Sequence, residues 1–136
     1  MIPGAPGTYA SLGCVAFWEL LPPLSTTGLS GILAALGILG TVASQKAIEE
    51  TGLSDPSCVV IDEWFGQGIA LLAAPHTLLG GGLAFVFFRF FDILKPPPIR
   101  WLERAPGGFG VMLDDAGAGL LAAALLSLAF ALFSGR

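Results

Sequence analysis

Acidic residues cluster at the ends of three predicted apolar helices, where they could act together. Carboxylates beside an apolar slab are unfavourable unless they are paired or bind a metal, so three such groups at one depth indicate a shared ion. Hard oxygen ligands of this kind suit Mg²⁺, which is often held by carboxylates together with a substrate phosphate. The pattern therefore predicts a Mg²⁺ site. The residues are Asp62 and Glu63 early in one helix, Asp92 at the end of the next, and Asp114 and Asp115 at the opening of the last.

A second interpretation of these acids needs no ion. Asp114 and Asp115 at the opening of a helix would complement the partial positive charge of its N-terminal end, and Asp62 and Glu63 could do the same. No thiol or imidazole cluster competes for a metal, and the single histidine, His76, is expected on the opposite side of the bundle. Both interpretations of the acids stay open on residue chemistry alone.

Basic residues are interleaved with the acids in the segment FRFFDILKPPPIRWLER at 88–104. Arg89 precedes Asp92 by three residues, so both can face the same way on one helix. Lys95 and Arg100 follow on a stretch that three prolines stiffen. Because Arg offers a bidentate fork and Lys a point charge, the segment could grip a phosphate beside an acidic metal site. The alternative is that the basic residues only anchor the chain at the level of lipid headgroups.

The composition indicates lipid rather than water as the main solvent. Hydrophobic residues make up 54% of the 136 residues and charged residues only 12%, and the mean hydropathy is +0.81. Soluble domains usually carry about 25% charged residues. The length predicts one domain, covering 1–136. With a net charge of -4 and six basic residues the chain has no basic stripe, which argues against nucleic acid as a partner.

The hydrophobic pattern predicts an all-α fold, a compact membrane-embedded bundle of about four to five helices. Pro96, Pro97 and Pro98 are expected to forbid helix after the fourth apolar stretch. Two glycine-rich segments, 4–8 and 107–110, are expected to form turns, and either could bring backbone N–H groups to a phosphate. The predicted helices cover residues 9–21, 28–43, 59–74, 77–91 and 113–133.

The distribution of basic residues predicts which side of a membrane each connection faces. Four of the six surround the connection between the last two helices, which the positive-inside rule places in the cytoplasm. Alternation then makes the 44–57 loop with Lys46 cytoplasmic too. Nine of the ten acidic residues fall at or near this face, with Glu19 the exception, and such a surface favours a divalent cation. The four basic residues are Arg89, Lys95, Arg100 and Arg104.

Several segments together resemble the phosphatidylglycerophosphatase A family, and the resemblance spans nearly the whole chain. The most specific are FRFFDILKPPPIRWLE at 88–103 and GGFGVMLDDAGAG at 107–119. Trp64 and Phe65 are bulkier than the family pattern, and the resemblance predicts additional residues ahead of Ala5. The other matching segments are APGT at 5–8 with Ser11 and Leu12, and Asp55 and Pro56 leading to VVIDEWFGQGIAL at 59–71.

The resemblance implies an enzyme that uses Mg²⁺ to dephosphorylate phosphatidylglycerol phosphate to phosphatidylglycerol in bacterial phospholipid synthesis. Hydropathy and the placement of the basic residues, taken with this resemblance, predict a multi-pass protein of the bacterial inner membrane with its active site on the cytoplasmic side. Its partners would be the phospholipid substrate and the bilayer, and a homo-oligomer stays open. Carried over by motif, the catalytic and metal-binding residues are Asp62, Glu63, Asp92, Asp114 and Asp115. The substrate-side candidates are Thr8, Gln67, Arg89, Lys95 and Arg100.

Residue types alone leave both the reaction route and the protein class open. Direct hydrolysis with a carboxylate as general base and a covalent aspartyl-phosphate both need the same residues. A small membrane transporter or channel subunit with an acidic ion site is one rival, but it would carry polar residues through the bilayer midplane. Three of the predicted helices are instead nearly uncharged in their central turns. A soluble helical bundle that binds a phosphate is the other rival, and it would stay in the supernatant without detergent.

Overall fold

The computed structural model describes residues 5–52, 61–102 and 104–134, and these residues form six α-helices with no strand among them. The all-α prediction is confirmed, whereas the predicted count of four to five helices is wrong. The additional element is a short helix that begins at the second of the three prolines. The helices are α1 (Ala5–Leu20), α2 (Thr26–Thr51), α3 (Ile61–Leu72), α4 (Leu78–Leu94), α5 (Pro97–Leu102) and α6 (Gly107–Ser134).

Prolines initiate α5 instead of forbidding a helix, so that expectation is wrong. Lys95 ends α4 in a left-handed conformation with φ 47°. The carbonyl of Pro96 then accepts hydrogen bonds from the backbone N–H groups of Ile99 and Arg100, at 2.9 and 3.2 Å. Proline is tolerated in a first helical turn because the N–H that it lacks has no partner within the helix there. The proline stretch therefore turns the chain and restarts a helix within three residues.

The second helix is longer than its hydrophobic pattern predicts. Ser25 caps its N-terminus by accepting from the N–H of Gly28 at 3.0 Å, and Gly52, with φ 73°, ends it. Much of the predicted 44–57 loop, including Lys46, is therefore the last two turns of α2. The remainder of that loop, 53–60, lies outside the described residues. Polar residues extend the helix because its backbone hydrogen bonds do not need an apolar face.

Both glycine-rich segments belong to helices and not to turns. Ala5 to Thr8 form the first turn of α1, while Gly4 lies outside the described residues. Gly107, with φ 64°, begins α6, and the N–H of Gly108 donates to Oε1 of Gln45 at 2.9 Å. A β-carbon at Gly108 would collide with the backbone of α2, so a glycine is needed where α6 begins against that helix.

The fold is organised around α3 and α6. The short helix α3 packs against α1, α2, α4 and α6, while the long helix α6 packs against α2, α3, α4 and α5. At their mutual contact the two backbones touch. A β-carbon on Gly66 would lie 2.5 Å from the carbonyl oxygen of Asp115, and one on Gly119 would collide with the carbonyl oxygen of Gly66. The contact therefore requires glycine on both helices.

Two of the described helices, Thr26–Thr51 and Gly107–Phe133, are long and apolar enough to cross a membrane by length and composition. Large hydrophobic side chains are also exposed over the surface, among them Leu20, Leu78 and Phe133 at 84%, 82% and 75%. Water-soluble monomers rarely expose apolar surface in large contiguous patches. These features fit a membrane protein, and the number of spans stays a prediction.

The backbone contact gives a testable consequence for stability. We expect Gly119→Ala to lower the free energy of unfolding by about 1–3 kcal/mol, because the added methyl group forces the two helices apart. Gly31→Ala is the matched control, since a β-carbon there meets no atom within 4 Å. It should leave stability unchanged or raise it by up to about 1 kcal/mol through helix propensity. Thermal unfolding followed by circular dichroism measures both, and equal shifts would contradict the contact.

Candidate functional site

Three of the predicted acids form a compact cluster across the α3–α6 contact. Asp62, Glu63 and Asp115 each offer a carboxylate oxygen, and these oxygens lie within 4.8 Å of one another. Asp62 and Asp115 are only 6% and 3% exposed, and the side chain of Glu63 is 15% exposed. The carboxylate cluster, as these three residues are called below, is thus shielded from water on most sides.

The local sequence explains why the carboxylate cluster forms. Asp62 lies in the first turn of α3, and its Oδ1 accepts from the backbone N–H of Glu63 at 2.9 Å. Gly66 follows Asp62 by one turn, and Gly119 follows Asp115 by one turn. Because these glycines allow backbone contact, the carboxylates one turn earlier on each helix face each other at short range.

The sequence predicted Asp114 and Asp115 at the opening of a helix, but the structure does not place them there. The helix α6 begins at Gly107, so Asp114 and Asp115 lie about two turns inside it. The helix dipole acts mainly within the first turn of a helix. Complementing the dipole therefore does not explain this pair of acids, whereas it can still apply to Asp62 and Glu63 in the first turn of α3.

Two cations, Arg89 and Lys95, pair with acids in and beside the carboxylate cluster. Nη1 of Arg89 donates to Oε2 of Glu63 at 3.1 Å and to Oδ2 of Asp92 at 2.6 Å. All three side chains are largely buried, at 11–15% exposure. Nζ of Lys95, the residue that ends α4, donates to Oδ2 of Asp114 at 2.8 Å. The C-terminal part of α4 therefore supplies positive charge to acids of both α3 and α6.

The site remains acidic after these ion pairs are counted. With all groups ionised, five carboxylates against two cations give 2 minus 5, or -3. Oδ2 of Asp115 is buried and has no hydrogen-bond partner among the described residues. Burial, followed by repulsion from Asp92, raises the pKa of Glu63 to about 7, although Arg89 opposes the shift. This set of oxygen donors fits a hard divalent cation, which would offset the excess negative charge.

The predicted substrate-side residues have different surroundings in the structure. Arg89 and Lys95 lie in the ion pairs just described. Gln67 follows Glu63 by one turn of α3 and is fully buried, and neither atom of its amide has a hydrogen-bond partner within the described part of the chain. Thr8 is half-buried in the first turn of α1. Arg100 is exposed on α5, and no ion pair between described residues includes it.

The sequence indicated no role in the site for the two glycines that set its geometry. Gly66 and Gly119 carry no chemistry, yet their lack of a side chain sets the separation of the carboxylates. A signal was present, because each glycine follows an acid by four residues, in DEWFG and DAGAG. Small residues at such positions are typical of closely packed helices in membrane proteins. The spacing alone does not show which helices meet.

Comparison with known proteins agrees with the resemblance seen in the sequence motifs. The family model described as Phosphatidylglycerophosphatase A matches residues 1–130. A relative from Escherichia coli (strain K12) with that name is 37% identical over 127 residues, which is 91% of this chain and 73% of the relative. Another with that name, from Haemophilus influenzae, is 40% identical over 125 residues, or 90% of this chain and 77% of the relative.

One relative carries a different name. A Bacteroides thetaiotaomicron protein provisionally named phosphatidylinositol-3-phosphatase is 39% identical over 140 residues, covering 93% of this chain and 84% of the relative. No solved structure matches the chain. The family model covers most of the sequence, including all the acids of the site, and the resemblance seen in the motifs is confirmed. The chain belongs to the phosphatidylglycerophosphatase A family.

Proposed function

We propose that this chain is a Mg²⁺-dependent lipid phosphatase that hydrolyses phosphatidylglycerol phosphate to phosphatidylglycerol and phosphate. The observation that carries the proposal is the carboxylate cluster, whose three members offer oxygens within 4.8 Å of one another. The names of the Escherichia coli and Haemophilus influenzae relatives support the substrate.

The metal would be held by Asp62, Glu63 and Asp115, because these are the oxygens that converge. When bound, Mg²⁺ supplies Lewis-acid polarisation of a phosphoryl oxygen and stabilises the charge that develops on it. Asp92 and Asp114, the other two predicted ligands, accept hydrogen bonds from Arg89 and Lys95. In this proposal their main contribution is to fix those two cations beside the phosphate.

Arg89 is well placed to bind the substrate phosphate. Its Nη1 is held by Glu63 and Asp92, so the guanidinium has a fixed position before substrate arrives. Its Nε is buried and has no partner among the described residues. A guanidinium fixed in this way can stabilise negative charge without reorganising during the reaction.

Two routes for phosphate release use these same residues. In one, a carboxylate accepts a proton from water as the water attacks phosphorus, and the P–O bond to the lipid alcohol breaks. In the other, a carboxylate oxygen attacks phosphorus, the lipid alcohol leaves, and water then hydrolyses the aspartyl-phosphate. Both routes need a carboxylate oxygen near phosphorus, which the carboxylate cluster supplies.

We further propose that the protein is a multi-pass protein of the bacterial inner membrane with this site on the cytoplasmic side. The N-terminal end of α3, the C-terminal end of α4 and the first third of α6 meet at the site, so all its acids lie towards one end of the bundle. The connection between α4 and α6 there is rich in basic residues, in agreement with the positive-inside rule. A terminal phosphate projecting from a lipid headgroup could reach the site from that side.

The name of the Bacteroides thetaiotaomicron relative favours a second candidate substrate, a phosphatidylinositol 3-phosphate. Both candidates are lipids that carry a phosphate monoester on a polar headgroup, so the same cluster could act on either. A transporter or channel role has less support, because the matched family and the relatives reported above are named as phosphatases.

Replacing single acids of the carboxylate cluster tests its role. We expect Asp115→Asn and Asp62→Asn each to lower phosphate release by roughly 10²–10³-fold, because each removes a charge aimed at the reacting group. Glu50→Gln is the control, since Glu50 is exposed and pairs only weakly with Lys46 at 4.0 Å. Circular dichroism would check that the variants fold. Activity close to wild type in either Asn variant would contradict the assignment.

Removal of divalent cations tests the metal requirement separately. Protein purified in detergent and treated with excess chelator should release no phosphate, and added Mg²⁺ should restore release, because the cluster would otherwise hold uncompensated negative charge. A colorimetric phosphate assay measures both steps. Full activity in excess chelator would rule out the Mg²⁺ part of the proposal.

A substrate panel tests the headgroup. Phosphatidylglycerol phosphate, phosphatidate, phosphatidylinositol 3-phosphate and a soluble phosphate monoester would be compared at equal concentration with the same acyl chains where these are present. We expect kcat/KM to be highest for phosphatidylglycerol phosphate. A higher value for phosphatidylinositol 3-phosphate would favour the second candidate, and a higher value for phosphatidate would overturn both.

A further inference from the structure

The connection between α4 and α6 has one packed side and one exposed side. On the packed side, Ile99 is only 1% exposed, and a β-carbon on Gly117 of α6 would lie 3.4 Å from Cγ1 of Ile99 and 2.7 Å from Cδ1 of Leu102. The other side carries Arg100 and Trp101, which are both exposed, Trp101 to 62%. The six-residue helix α5 is therefore amphipathic.

Arg104 extends the exposed side into the turn that follows α5. Its backbone N–H donates to the carbonyl oxygen of Trp101 at 3.2 Å, so the chain makes one further turn after the helix. Arg104 is exposed, and it follows Arg100 and Trp101 by four and three residues, a spacing that puts side chains on the same side of a helical turn. These three residues are called the basic surface below.

The two arginines of the basic surface differ from the other basic residues in their pairing. Among the described residues, Arg100 and Arg104 have no ion pair, whereas the other three basic residues all lie in ion pairs. The sequence between the two arginines includes Glu103, which lies outside the described residues. The segment 97–106 therefore carries 2 minus 1, or +1, in a chain with a net charge of -4. An exposed positive segment on an acidic protein fits an anionic partner.

The basic surface lies at the end of the bundle that holds the carboxylate cluster. Gly117, against which α5 packs, follows Asp114 by three residues and Asp115 by two, so α5 packs within one turn of the acids of α6. Arg104 lies three residues ahead of Gly107–Phe133, a helix long and apolar enough to cross a membrane. Basic and tryptophan side chains just outside such a helix typically lie at the level of lipid headgroups.

We propose that the basic surface binds the headgroups of anionic phospholipids and so concentrates the lipid substrate beside the carboxylate cluster. Charge complementarity identifies the partner, because exposed basic residues at a membrane surface are attracted to anionic lipids. Trp101 suits the same place, since an indole has an apolar body and a polar N–H group. The inference rests on the proposed function and adds to it a contact with lipid outside the reaction site. It gives Arg100 a role in capturing lipid and not in holding the reacting phosphate.

Removal of one positive charge tests the capture step. In mixed micelles of a neutral detergent, Arg104→Gln should raise KM for phosphatidylglycerol phosphate roughly fivefold, because a basic residue near an anionic surface contributes about that factor to binding. It should leave kcat unchanged, since Arg104 does not touch the carboxylate cluster. In about 1 M salt the rise in KM should disappear, because such salt screens charges beyond about 3 Å.

Lys46→Gln is the matched control for this substitution. Lys46 is also basic, its side chain is 75% exposed, and the preceding residue, Gln45, accepts a hydrogen bond from the start of α6 at the same end of the bundle. The control should leave KM unchanged. An unchanged KM in Arg104→Gln, a loss confined to kcat, or an equal rise of KM in Lys46→Gln would overturn the proposal.

A binding measurement separates the basic surface from the reaction. Phosphatidylserine and phosphatidylcholine with the same brominated acyl chains would be compared as quenchers of tryptophan fluorescence in detergent micelles. The difference between the wild-type protein and Trp101→Phe reports on Trp101 alone. Phosphatidylserine should quench Trp101 more strongly than phosphatidylcholine, and the double variant Arg100→Gln, Arg104→Gln should lose this preference.

Equal quenching of Trp101 by the two lipids in the wild-type protein, or a preference that persists in the double variant, would contradict the proposal. The outcome does not depend on the reaction. If the wild-type protein releases no phosphate from phosphatidylglycerol phosphate, the proposed function fails, and the quenching preference still decides whether the basic surface binds anionic lipid.

Discussion

The backbone contact between α3 and α6 is the constraint on which the rest of the structure depends. Helices normally pack with their axes 8–10 Å apart because side chains separate them. At Gly66 and Gly119 there is no side chain, and the backbones touch. That close approach brings carboxylates of the two helices within 4.8 Å of one another, and it places α3 where α1, α2 and α4 can all pack on it. A single steric feature therefore organises both the bundle and the site.

Electrostatics then divides the five acids into two groups. Asp92 and Asp114 each accept a hydrogen bond from a cation at the end of α4, whereas Asp62, Glu63 and Asp115 converge with less compensation. Arg89 links the groups because one nitrogen donates to both Glu63 and Asp92. Burial, and after it the neighbouring charge of Asp92, raises the pKa of Glu63, because a buried carboxylate beside like charges is unfavourable unless a cation or a proton offsets it. An acidic centre with fixed cations at its edge is an arrangement suited to an anionic substrate bound through a metal.

The short helix α3 has one polar face and one apolar face. One face carries Asp62 and Glu63 towards α4 and α6, while the face with Trp64 and Leu71 forms the base of an apolar groove between α1 and α2. A helix of 12 residues is shorter than the roughly 20 residues that cross a bilayer, and its neighbours cover much of it. The long apolar helices α2 and α6 lie beside it.

The sequence by itself determined the helical class, the identity of the five acids and the family, because composition, spacing and motif are properties of local sequence. It also anticipated that Arg89 and Asp92 would face the same way, since three residues separate them on one helix. It failed where tertiary packing decides the outcome. The start of α6 at Gly107 depends on a fit against Gln45 of α2, and that start moves Asp114 and Asp115 from a helix end to its interior. Only the tertiary structure decided which three carboxylates meet, because their separation is set by backbone contact at two glycines, each one turn away from the acid that it positions.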